Sequence, residues 1–227
     1  MEQLAELALP VLKIIWINIL LSGDNAVVIA LACRGLPADQ RKIGIALGAG
    51  AAVLLRIVFT FMTTQLLGLP WITAVGSLLL LWIAVKLVVP EEPDADSVAG
   101  HSSLWKAVQT VTIADIVMSL DNVVAIAAAA NGDIRLIVFG LLLSVPLVIV
   151  GSTLLTAIID RFPILVWAGA ALLGWIAGEL FVRDVGVIGA TGLHIDHLPA
   201  QIAGAILVLI AGYMLKKHHS AKIAHSR

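Results

Sequence analysis

The sequence predicts an all-α polytopic membrane protein: seven transmembrane helices, arranged as two inverted three-helix repeats plus a C-terminal helix, in a single domain over residues 1–227. Three observations carry this. Of 227 residues, 60% are hydrophobic and 13% charged, about half the charged share of ordinary globular chains. The charges, 14 Lys plus Arg against 15 Asp plus Glu, sit mostly in short islands between apolar runs of about 18 to 25 residues, the length a helix needs to cross a bilayer. A polar motif also occurs twice, embedded in two of those runs. A transmembrane barrel would show short alternating segments instead. A soluble enzyme, a disordered chain or a nucleic-acid binder with a basic face would need far more charge.

Taken in order, the runs fall at 7–31, 43–66, 71–89, 106–130, 134–157, 164–182 and 199–216. Backbone groups in lipid must pair within their own segment, so runs become helices and islands become loops. The island 90–105 carries Glu91, Glu92, Asp94 and Asp96 and reads as an acidic cytoplasmic linker; 217–227 reads as a basic cytoplasmic tail. With seven spans and the tail inside, the N-terminus lies outside. Ten Lys and Arg then fall on the cytoplasmic side and three on the outer side, Lys13, Arg135 and Arg183, as the positive-inside rule requires. Arg56 alone is left inside a span.

The repeat is read residue by residue. Asn18 to Ala30 aligns with Asp115 to Ala127 at 7 of 13 positions, and Gly76 to Leu87 with Gly169 to Leu180 at 7 of 12. Residues 7–89 and 106–182 are therefore two copies of one unit, with 199–216 as a seventh helix. Three spans per copy would invert the second copy in the membrane, an arrangement that places a site near the midplane. Lys86 and Glu179 occupy equivalent positions, and that change of sign fits inversion.

Within these apolar runs lie Asp24, Asp115 and Asp121. A carboxylate at the centre of a membrane helix costs about 2.5–3.5 kcal/mol by insertion scales, so such groups are kept where they line a cavity, share a proton or bind a cation. At about 100° per residue, Asn18, Ser22 and Asn25 fall within an arc of about 60°, as do Asp115, Ser119 and Asn122. Asp24 and Asp121 lie off these stripes. Either the helix unwinds beside the aspartate, through Gly23 in the first run and a π-bulge in the fourth, or the ligand spans two helix faces. Carboxylates, amide oxygens and hydroxyls form an all-oxygen set suited to manganese, magnesium or calcium. Two aspartates neutralise one divalent ion, and Asp115 could exchange protons. Arg56 reads as a counter-ion for the empty site, a structural ion pair or a side chain snorkelling to the surface. Gly48, Gly50 and Pro146 read as hinges or as packing positions. The histidines at 194, 197, 218, 219 and 225 read as solvated loop residues. Cys33 is the single cysteine, which leaves no thiolate cluster.

The stretch Leu21-Ser-Gly-Asp-Asn-Ala-Val-Val-Ile-Ala30 and the spacing Asp115-x-x-x-Ser-Leu-Asp-Asn122 resemble the TerC family of integral membrane proteins, in its short YjbE-like branch. That family is associated with manganese export and tellurite resistance, and it is similar in its repeats to LysE-type exporters. The resemblance implies export of manganese or another divalent cation, with Asp24, Asp115 and Asp121 at the metal site. Asn25, Asn122 and Asn18 complete the expected ligand set, supported by Ser22, Ser119 and Arg56. The expected partners are the metal ion, as substrate rather than resident cofactor, and the lipid bilayer; no nucleic acid is expected, and the oligomeric state is open. Two other classes compete. One is a non-transporting membrane component of a metal or tellurite stress complex. The other is an intramembrane aspartyl protease, against which stands the absence of Gly-x-Gly-Asp, because Leu21 precedes Ser22-Gly23-Asp24.

Overall fold

The computed structural model describes Trp16 and residues 23–66, 69–89, 101–129, 134–192 and 196–225, with backbone alone at 60–61, 63–66, 101–103, 120–129, 134, 136–137 and 219–225. The described residues are all-α: α1 (Gly23–Cys33), α2 (Ala38–Leu66), α3 (Ile72–Val88), α4 (His101–Ala129), α5 (Ile134–Arg161), α6 (Ile164–Arg183), α7 (Val185–Thr191) and α8 (His197–His225). α4 begins inside the stretch expected to be linker. The short α7 lies between two apolar runs and has no counterpart in the hydropathy pattern.

The expected seven spans are corrected to four among the described residues. Ala38–Phe59, Val138–Arg161, Ile164–Arg183 and His197–His218 are the helices long and apolar enough to cross a membrane. The three runs that drop out do so for different reasons. α3 has 17 residues, and at 1.5 Å each it reaches about 26 Å, short of about 30 Å of hydrocarbon. The described part of the first run is the short helix Gly23–Cys33. α4 is long, at 29 residues, but its side chains are described over 104–119 alone, fewer residues than a span needs. The inversion of the repeats was argued from three full spans in each copy and falls with the count, while most of the first run, on which the side of the N-terminus turns, lies outside the described residues.

The chain forms two compact units, one built from Met1–Leu66 and Gly100–Ile158, the other from Leu67–Ala99 and Ile159–Arg227. In the first, α2 packs along α4, and Ile29, Cys33, Leu36, Ile45, Ala49, Leu104, Ala107, Val108, Val111 and Val148 form its apolar core. Gly48 permits the close approach: a Cβ there would lie 3.1 Å from Val111 Cγ1, whereas Gly50 faces open space. Gly151 of α5 stands against α1, where an added Cβ would be 3.3 Å from Ala26 Cβ. Cys33 is fully buried in this core. After α1 the chain turns sharply, and Arg41 Nη2 donates to Arg34 O at 2.8 Å and Leu36 O at 3.4 Å, satisfying carbonyls left open where a helix ends.

In the second unit α6 packs against both α3 and α8. The α6–α8 contact is backbone to backbone. A Cβ at Gly174 would lie 2.5 Å from Gly204 O, one at Gly178 would collide with Ala200 O, and one at Gly204 with Gly174 O. Small residues let helices in a membrane approach this closely and gain van der Waals contact. Gly178→Ala is therefore expected to lower stability by about 2 kcal/mol through overpacking. Gly50→Ala, in open space, should be neutral or slightly stabilising, and thermal denaturation of the two purified variants checks the contrast.

Candidate functional site

Five of the expected site residues lie in the first unit with described side chains, four of them nearly sealed from solvent. Asn25 is 3% exposed, Asp115 4% and Ser119 0%, and Arg56 of α2, at 2%, joins them; Asp24 is half-buried at the start of α1. Asp115 and Ser119 are one helical turn apart, the spacing at which side chains on one face meet. Ser119 Oγ donates to Asp115 Oδ2 at 2.8 Å. Arg56 Nη2 donates to Asp115 Oδ1 in a salt bridge, and Arg56 Nε donates to Ser119 Oγ at 3.3 Å. Both carboxylate oxygens of Asp115 are thus engaged, one by a cation and one by a hydroxyl.

Around this pair stand Ala52, Val53, Val111, Ala114 and Met118, all buried. An ion pair in such surroundings is held only with good geometry and further hydrogen bonds, because desolvation of two charges opposes it. The guanidinium meets that requirement by bridging two groups of α4. Arg56 therefore does not snorkel. Asp24 accepts a hydrogen bond from the Asn25 backbone N–H at 2.6 Å and lies within electrostatic range of both Arg56 and Asp115. The cluster thus draws on α1, α2 and α4.

Other expected residues are not brought to this cluster by what is described. Asn18 and Ser22 lie outside the described residues, as do the side chains of Asp121 and Asn122. The α4 backbone is an unbroken α-helix through both of the latter, so the π-bulge anticipated there is absent. Among the described residues, no three or more His, Cys, Asp or Glu gather as a metal site. Asp196 and His197 are exposed at the start of α8; His194 lies outside the described residues.

One carboxylate of structural weight escaped the sequence reading. Asp184, 1% exposed, N-caps α7 by accepting from the N–H groups of Gly186 and Val187, at 2.7 and 3.1 Å. It also caps α3 from 113 residues away, accepting from Trp71 N at 2.9 Å, Thr73 N at 3.1 Å, Thr73 Oγ1 at 2.8 Å and Ala74 N at 3.2 Å. Trp71 adopts a left-handed conformation, φ 70°, and its ring covers Gly186, where a Cβ would lie 2.8 Å from the indole. The available signal was an Asp directly before a short helix, a common N-cap.

Buried carboxylates and an arginine inside a multi-pass helical bundle define an integral membrane protein whose polar interior is built rather than incidental. The chain belongs to the Integral membrane protein TerC family, whose family model matches residues 4–220; it is a membrane protein. It is 43% identical over 173 residues to the uncharacterized membrane protein YjbE of Bacillus subtilis (strain 168), covering 76% of this chain and 79% of that one. It is 29% identical to YceF of the same organism, covering 70% of this chain and 65% of the relative, and 24% identical to YkoY, covering 81% and 64%. The chain thus spans just under two thirds of YceF and YkoY. No solved structure matches it.

Proposed function

We propose that this chain exports a divalent metal cation, manganese foremost, by alternating access at the polar cluster of its first unit. The observation that carries the reading is the buried Arg56–Asp115 pair that joins α2 to α4 in an otherwise apolar interior, with Asp24 of α1 in the same unit. Ionisable groups in membrane-buried positions mark ion pathways, because nothing structural requires their cost. The donors assigned to the cation are the carboxylates of Asp24, Asp121 and Asp115 and the amide oxygens of Asn25, Asn122 and Asn18, with Ser22 and Ser119 beside them. This oxygen set suits a hard divalent ion. Arg56 is the counter-charge of the empty site: it neutralises Asp115 until the metal arrives. Proton coupling through Asp115 belongs to the same reading and requires Arg56 to release that carboxylate. The basic tail, with Lys216, Lys217, Lys222 and Arg227, supports a cytoplasmic C-terminus.

In liposomes, the purified protein is expected to move Mn2+ unaided, and Asp24→Asn or Asp121→Asn to cut the flux by about 10- to 100-fold, at least the loss seen when metal-supporting residues are removed. Wild-type rates in both variants would refute the assignment. Export indifferent to an imposed pH gradient would remove the proton coupling alone. A second reading, a non-transporting membrane component of a metal or tellurite stress complex, is favoured by the engagement of both Asp115 carboxylate oxygens by Arg56 and Ser119. Liposomes that stay impermeable to Mn2+ would select it.

A further inference from the structure

Among the described residues the buried hydroxyls are those of Ser77, Ser119, Ser144, Ser152 and Thr156. All but Ser119 donate to a carbonyl of their own helix: Ser77 to Ala74 O at 2.7 Å, and Ser144 to Leu141 O, Ser152 to Val148 O and Thr156 to Ser152 O, each at 2.6 Å. That is a common outlet for a hydroxyl inside a helix. Ser119 differs. Its proton goes to Asp115 Oδ2 at 2.8 Å, and its oxygen accepts from Arg56 Nε at 3.3 Å.

The place of that oxygen matters because a guanidinium is planar and forked. Nε–H and one Nη2–H point the same way along one edge, and this edge matches the two oxygens of a carboxylate in parallel, charge-assisted hydrogen bonds. Here the edge is split. Nη2 donates to Asp115 Oδ1, but Nε meets the Ser119 hydroxyl, which in turn holds Oδ2. A neutral acceptor, slightly beyond the usual N–H···O range of about 2.7–3.2 Å, thus stands where a second charged one would complete the fork.

We propose that Ser119 is a positioning residue that keeps the Arg56–Asp115 pair from closing into a two-pronged clamp, so that an arriving divalent cation can displace the guanidinium. The displacement by metal rests on the transport reading; the splitting of the edge does not. With the hydroxyl gone, a turn of the Asp115 carboxylate about its broad terminal torsion brings Oδ2 to Nε. The arginine then competes with the metal for both oxygens rather than one.

The test places Ser119→Ala in the full chain and in its Arg56→Lys variant, whose ammonium has no such edge. In liposomes, Ser119→Ala is expected to raise the Mn2+ concentration for half-maximal flux about tenfold while the maximal flux is kept, the ratio expected when a weak hydrogen bond gives way to one between charged groups. In the Arg56→Lys variant the same substitution should barely move it. An equal rise in both backgrounds would make Ser119 a metal ligand and overturn the proposal. Denaturation gives a readout without transport. The coupling between Arg56→Gln and Asp115→Asn should strengthen about tenfold, as an equilibrium ratio, in the Ser119→Ala background, whereas loss of a merely structural hydroxyl would lower stability and leave the coupling as it was. Unchanged or weaker coupling refutes the split edge whatever the flux. If wild-type liposomes move no Mn2+, the transport reading fails, and the coupling still decides whether Ser119 holds the pair apart.

Discussion

Arg56→Gln is expected to destabilise the protein by about 3 kcal/mol, because removing one partner of a buried pair strands the other as an uncompensated charge. Asp115 is 4% exposed, and the hydroxyl of Ser119 is the single neutral donor that would remain to it from the described hydrogen bonds. Asp115→Asn removes the buried counter-charge of the guanidinium and is expected to cost a similar amount. The double variant Arg56→Gln/Asp115→Asn removes both charges while keeping an amide at each position to meet Ser119. It should recover most of the loss, since neutral replacement of buried ion pairs is often tolerated. Denaturation of the four proteins closes the cycle. A double variant no better than the sum of the singles would show that the two residues do not act as a unit. If the pair serves only the fold, the rescued double variant also regains Mn2+ flux; if Arg56 is the counter-charge of the site, stability returns and flux does not.

The second large effect falls on Asp184. Asp184→Ala leaves five backbone N–H groups and the Thr73 hydroxyl without their acceptor. Hydrogen bonds to a charged group contribute about 1.5–3 kcal/mol each. Water admitted at this helix end offsets part of the loss, so the expected cost is about 4 kcal/mol. Asp184→Asn is also costly, because its NH2 group would face donors where an oxygen now accepts. The same contacts set an acid limit. Burial pushes the Asp184 carboxyl upward, but hydrogen bonds from the Thr73 side chain and the N–H groups of Trp71, Ala74 and Val187 outweigh it and hold the carboxyl below its ordinary value. A carboxyl lowered in the folded state adds stability that is fully present above the unfolded value near pH 4 and is lost as pH falls through the folded one. Melting temperatures should therefore decline below about pH 4 in the wild type. In Asp184→Asn that component of the decline should be missing.

Much of this architecture was legible because hydrophobicity is a property of long windows. Every apolar run from residue 43 onward coincides with a helix, within a few residues at most ends. The number of spans was not legible in the same way. α3 shows why: its run reads as a span, yet the helix has 17 residues, about one turn too short. At the site, the cost of Asp24 and Asp115 in apolar surroundings singled them out. The partner of Asp115 could be narrowed to Arg56, the cation set deepest inside a run, but choosing among pairing, counter-ion and snorkelling required the α2–α4 contact. Asp184 stayed invisible because its partners lie 110 to 113 residues away, and a carboxylate beside Arg183 at a run's end looks like any loop charge.

The ion pair at Arg56 also has a history within each molecule's synthesis. Its partner carboxylate lies 59 residues later in the chain, and at translation rates of about 5–20 residues per second several seconds separate their appearance. During that interval α2 exists as a nascent helix with a lone guanidinium at the heart of an apolar run, in a state the bilayer disfavours. By insertion scales the guanidinium costs α2 about 2.5–3.5 kcal/mol in the bilayer until α4 is made. A gap of this kind makes the order of birth part of the fold, and it gives Asp115 a task before any cation reaches the protein: drawing its neighbour into the membrane.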